Sequence, residues 1–132
     1  MSTPEVNVVR RGPTDGEAVW LLGGLYRYRA VGDETADGYS LFEVEGPAGL
    51  ASPVHVHDHE AEAFYVVSGT QCMETPTRRA RVEAGHTFVV DGGVHVQAAP
   101  RGRRNVGVVL YPEGQPFMTV VTDWTPSDYC RR

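Results

Sequence analysis

The spacing of turn-forming residues constrains this chain more than anything else in it. Short apolar stretches are cut about every 8–12 residues by Gly, Pro, Asp and Asn, and no segment keeps a helical period for about three turns. That is an all-β pattern. Strands are expected at 19–31, 39–44, 54–57, 62–67, 71–75, 79–83, 87–90, 95–98 and 105–110. Between them, Asp33 to Gly38 reads as a turn, and Gly46-Pro47-Ala48-Gly49 ends a strand. Ser68-Gly69-Thr70 and Thr75-Pro76-Thr77 read as two tight hairpins. Short strands at this spacing suit a double-sheet jelly roll or barrel, which buries one face of each strand and hides most edges.

A chain of 132 residues makes one domain with a real core. Residues 1–18 read as an irregular arm, 19–111 as the barrel, and 112–132, with an apolar run at 117–124 between prolines, as a tail packing back across it. The hydrophobic fraction of 41% and charged fraction of 22% are ordinary for a globular protein. No apolar run approaches the ~18 residues of a membrane helix and the first residues lack signal-peptide order, so the expectation is a cytoplasmic protein with no membrane contact. The net charge is −5 and most of the arginines are dispersed as Arg10-Arg11, Arg78-Arg79-Arg81, Arg101-Arg103-Arg104 and Arg131-Arg132. Nucleic acid is therefore not an expected partner, and these clusters read as solvated turns and termini. Cys72 and Cys130 are too few for a disulfide framework and read as structural thiols. Lys and Ile are absent, which fits the codon usage of a high-GC bacterial genome.

The chemistry concentrates around residue 55. In Pro53-Val54-His55-Val56-His57 two imidazoles lie two apart on an expected strand, so they share a face. Glu62 opens the next strand, where a period of two puts Glu62, Phe64 and Val66 on one face and sends a carboxylate into the same cavity. His95, after Gly92-Gly93, faces inward with Gln97 from the opposite sheet. One such histidine is commonly a hydrogen-bonded core or surface residue; two at i and i+2 followed by Glu point to a metal. Three imidazoles and a carboxylate suit one divalent transition ion, Fe, Mn, Ni, Cu or Zn, better than Ca or Mg. His59 and Glu60 belong to the turn, and His86 faces solvent.

These residues carry a family resemblance. Gly49, five residues, His55-Val56-His57, four residues, Glu62, six residues and Gly69 match the first cupin motif at every fixed position. Gly85 to His95 resembles the second motif, with Asp91 in place of its proline, one residue fewer between Gly93 and His95, and Ala99 in place of its asparagine. The segment from Gly23 to Glu43 resembles the one preceding the first motif in quercetin-dioxygenase-like bacterial cupins. The resemblance covers about residues 19–110. It implies a cupin double-stranded β-helix, metal ligands His55, His57, Glu62 and His95, and O2-dependent cleavage of a phenol or enol chelated to the metal.

The leading expectation is thus a metal-dependent dioxygenase for a small, aromatic, phenolic or enolic molecule, with Glu62 also the catalytic base. Tyr26, Tyr28, Phe42, Phe64, Val66, Met73, Phe88 and Val90 are candidates for an apolar pocket wall, and Gln97 for a hydrogen bond to the bound anion. Two alternatives stand beside it. One is a redox-neutral cyclase or isomerase of a small polyketide-like metabolite, with the ion as Lewis acid. The other is a non-catalytic small-molecule-binding cupin. Exposed strand edges leave room for a homodimer.

Overall fold

The computed structural model describes residues 8–21, 23–36, 38–57, 61–90, 93, 96–99, 103–110 and 119–131. Its strands are β1 (Ala18–Leu21), β2 (Gly24–Ala30), β3 (Ser40–Gly46), β4 (Leu50–Ala51), β5 (His55–Val56), β6 (Ala61–Glu74), β7 (Arg79–Glu83), β8 (Thr87–Val90), β9 (Val96–Ala99), β10 (Arg103–Leu110) and β11 (Thr119–Val120). The only helical turns among the described residues are two short 3-10 segments, Gly32–Glu34 and Tyr129–Arg131. No helix here is long and apolar enough to cross a membrane.

Every strand pairing is antiparallel. Nine strands form one network in the order β1-β2-β3-β10-β6-β9-β4, with β7 and β8 also on β6, while β5 and β11 form a separate ribbon. This is an all-β jelly roll, as the turn spacing requires. β6 serves both layers: Glu62 to Tyr65 pair with β8, and Thr70 to Glu74 pair with β7.

Two expected boundaries fail. The stretch 19–31 is a hairpin of β1 and β2, turned at Gly23, whose φ of 80° suits a residue without Cβ. Conversely, Ser68-Gly69-Thr70 makes no hairpin. The ladder to β10 slips one residue at Val67, Gly69 holds φ at 77°, and β6 bends through this bulge from one layer into the other. The hairpin at residues 75–77 is present, closed by Thr75 N–H on Arg78 O at 2.8 Å.

Phe42, Val44, Phe64, Val66, Val82 and Phe88 form the core, with Tyr26, Tyr28, Met73 and Val90 packed against it. Its register explains its shape. Phe64 and Phe88 are direct cross-strand partners, and their rings stack at 4.7 Å. Gly107 of β10 is the partner of both Phe42 and Phe64; having no side chain, it leaves room for their rings to meet edge-on at 6.3 Å. Burying each such ring contributes about 1.5–3 kcal/mol.

The cysteines are not thiols. Cys72, in β6 and fully buried, is disulfide-bonded to Cys130 across 58 residues of chain. Around this bond Glu74 accepts hydrogen bonds from Ser127 N–H at 3.2 Å and Ser127 Oγ at 2.9 Å, and Arg81 donates to Tyr129 O at 2.8 Å. Arg79 and Arg81 are exposed, as expected of solvated residues, and lie on β7, 5.5 and 5.0 Å from the centre of the Tyr129 ring. At the other end of the chain Arg11 forks onto Glu34 at 2.8 and 3.0 Å, and β2 arginines hold the preceding loop through Thr14 O and Asp15 O.

Candidate metal centre

Among the expected ligands, His55 lies beside His57, and His57 beside Glu62. His55 sits on β5, which is held by β11 through the pairs Val120–His55 and Thr119–Val56. His57 follows two residues on, and with Val56 between them the imidazoles share a face, their ring centroids 4.9 Å apart. Glu62 lies at the start of β6, where burial alternates: Glu62, Phe64 and Val66 inward, Ala63, Tyr65 and Val67 outward. His55, His57 and Glu62 are 3%, 3% and 4% exposed. Polar side chains so deeply buried require partners, because removing them from water costs several kcal/mol otherwise.

Those partners are specific. His55 Nδ1 lies 2.7 Å from Pro53 O. A carbonyl oxygen can only accept, so Nδ1 donates and the ring's lone pair is left on Nε2, the arrangement that orients a ligating histidine. His57 Nε2 is in contact with Glu62 Oε1. An imidazole lone pair and a carboxylate oxygen repel each other, so their contact is bridged by a proton, on Nε2 or on the carboxyl, or by a cation shared by both. Imidazole nitrogens beside a buried carboxylate are the donors a divalent transition ion takes. In donor chemistry this set fits such an ion.

The set is incomplete among the described residues, where no three His, Cys, Asp or Glu side chains are arranged to hold one ion. The expected fourth ligand, His95, lies outside the described residues, as do His59 and Glu60. His86 is exposed, as expected of a solvent-facing residue.

The candidate wall residues divide into a buried set and a partly buried one, and of the latter Tyr26 and Tyr28 pack against the core without lining the cavity that Met73 and Val90 line. Phe42, Phe64, Val66 and Phe88 are buried in the core, so their first role is packing. Met73 and Val90 are only partly buried and line a cavity of about 760 Å3. Val90 is the cross-strand partner of Glu62, and Met73 that of Gln97, though neither Glu62 nor Gln97 itself lines the cavity. Gln97 is buried, and its side-chain Nε2 has no hydrogen-bond partner among the described residues. It is a spare donor in a closed place. Sequence reasoning passed over the turn at residues 75–79 that rims this cavity, because a Thr-Pro-Thr-Arg-Arg turn looks like any solvated hairpin.

No protein-family model matches the sequence, and no curated protein is significantly similar to it. Solved structures are similar. Ectoine synthase from P. lautus superposes with a TM-score of 0.70 at 17% identity, covering 90% of this chain and 96% of that one. Polyketide cyclase RemF from Streptomyces resistomycificus gives 0.68 at 25% identity over 87% and 86%. An RmlC-like cupin from Shewanella frigidimarina NCIMB 400 gives 0.66 at 18% over 79% and 91%. Two antiparallel layers sharing one long strand, together with these likenesses, show the fold of a small cupin.

Proposed function

We propose that this cupin is a metal-dependent enzyme acting on a small enolic or phenolic molecule, with one divalent transition ion on His55, His57, Glu62 and His95. The observation that supports this is the buried contact between His57 Nε2 and Glu62 Oε1 beside His55, a pair that a proton or a shared cation can bridge, lying where the first cupin motif would put an ion. When bound, the ion supplies Lewis acidity. The rest falls to the chain. The core aromatics and Val90 keep water from Glu62. Glu62 takes the hydroxyl or α-carbon proton, and Gln97 Nε2 donates to the anion so formed.

Of the chemistries compatible with that site, redox-neutral cyclisation or isomerisation is favoured by the 25% identity to a polyketide cyclase over most of both chains. O2-dependent cleavage is the second reading, favoured by the resemblance of the segment from Gly23 to Glu43 to quercetin-dioxygenase-like cupins. Oxygen uptake separates them. The test is elemental analysis of protein purified without chelator, in wild type, His55→Ala and His57→Ala, followed by a screen of enols and phenols in an oxygen-electrode cell. One ion per chain, lost in both variants, with product formed at no oxygen cost is the expected result. Stoichiometric oxygen uptake would select the second reading, and full metal occupancy in both variants would overturn the site. Tight binding of screened molecules without turnover would leave a binding protein.

A further inference from the structure

The β6–β7 turn stands between two cavities. One, of about 760 Å3, is lined by Met73, Ala80, Val89 and Val90; the other, of about 580 Å3, by Glu74, Trp124 and Ser127. Arg78 and Arg79 border both. Arg79 is already committed, with Nε 3.6 Å from Glu74 Oε2 and its guanidinium over Tyr129. Arg78 is not: its guanidinium has no ion pair or hydrogen bond among the described residues. Its backbone, by contrast, is fixed, since its N–H donates to Thr75 Oγ1 at 2.9 Å and its carbonyl accepts from Thr75 N–H at 2.8 Å. An uncommitted cation is thus presented from a rigid base at the edge of an apolar cavity. The nearby carboxylate of Glu74 does not neutralise it, being held by both Ser127 donors and approached by Arg79.

Two of the residues lining this cavity neighbour the candidate site in the sheet: Val90 is the cross-strand partner of Glu62, and Met73 that of Gln97. A volume of about 760 Å3 falls in the range that holds a small organic molecule. Its wall asks for an apolar body, and Arg78 at its edge asks for an acceptor. We propose that this cavity is the mouth of the barrel and that Arg78 is a binding residue selecting molecules with a carboxylate on an apolar or aromatic body. The proposal rests on the function given above for what happens at the candidate site. The selection itself is a property of the mouth.

The test uses the full chain after chelator treatment, so that a carboxylate held by an ion is not mistaken for one held by Arg78. The probes are 2-naphthoate and 2-naphthol, alike in shape and different in charge at neutral pH, with affinities read by calorimetry. Wild type should bind 2-naphthoate about tenfold more tightly than 2-naphthol, the scale of one charge-assisted hydrogen bond. Arg78→Ala should bring 2-naphthoate down to the level of 2-naphthol and leave 2-naphthol unchanged, and Arg78→Glu should push it lower still. Arg78→Lys should keep most of the preference. The substitutions spare the fold because the turn is closed by the backbone of residue 78. Equal 2-naphthoate affinity in wild type and Arg78→Ala, equal loss of both probes, or no 2-naphthoate binding would overturn the proposal. Failure of the metal site would show separately, as unchanged metal content in His55→Ala, and would leave the comparison of probes intact.

Discussion

Replacing Cys72 and Cys130 together with alanine should cost this small barrel much of its stability while leaving its architecture. The bond closes a loop of 58 residues, which includes β7, β8, β9 and β10. In the chain-entropy account, releasing such a loop in the unfolded state costs about 4 kcal/mol. For a domain of this size that corresponds to roughly 12–15 °C in Tm. The remaining contacts of the segment, Ser127 on Glu74 and Arg81 on Tyr129 O, are each worth about 0.5–3 kcal/mol and keep it near β6 without the bond. The core around Phe64 contains neither cysteine, so the β-rich circular dichroism should persist. The assay is thermal and urea unfolding of three samples: oxidised wild type, wild type unfolded and refolded in reductant, and the double alanine variant. The last two should coincide within about 1 kcal/mol and lie well below the first. Coincidence of all three midpoints, or two titratable thiols in wild type unfolded without reductant, would refute the reasoning.

The other predictions concern the site and the arm. His95→Ala should lower metal content while His86→Ala leaves it unchanged, as elemental analysis will show, because His86 is exposed. Glu62→Gln keeps the shape and removes the basicity, so turnover per bound ion should fall about 100-fold or more; equal normalised rates would move the proton transfer elsewhere. Hydrogen bonding to Arg11 holds the Glu34 carboxyl below its ordinary range, so this pair's stabilisation is complete above the usual carboxylate pKa and is lost as pH falls through the lowered value. Urea midpoints taken from neutral pH down to about pH 3 should therefore fall less steeply in Glu34→Gln than in wild type.

What the sequence disclosed, and what it withheld, follows from the range of the interactions involved. The pair His55 and His57 and the face shared by Glu62, Phe64 and Val66 depend only on the two-residue period of a strand, so spacing alone placed them. The bend of β6 was misread because Gly and Ser promote a tight hairpin and a bulge for the same reason, freedom of φ. The choice between them is made by β10, which pairs on both sides of residue 67. The disulfide was hidden because Cys130 meets Cys72 only once its segment is laid against β6 and β7, and no local pattern records that return.

The mouth of the barrel was hidden for a related reason with a different consequence. A period of two says that Val90 and Glu62 each face inward, but not that they are partners; that depends on the register between β6 and β8. The same holds for Met73 and Gln97 between β6 and β9. Both registers hang on one strand, since β6 carries Glu62 at one end and Met73 near the other. A slip of one residue at the Val67 bulge would exchange the faces of Met73 and Cys72, whose sulfur is tied to Cys130, so the disulfide and the cavity wall cannot both be kept in a register shifted by one. The bond that steadies the fold therefore also opposes that slip.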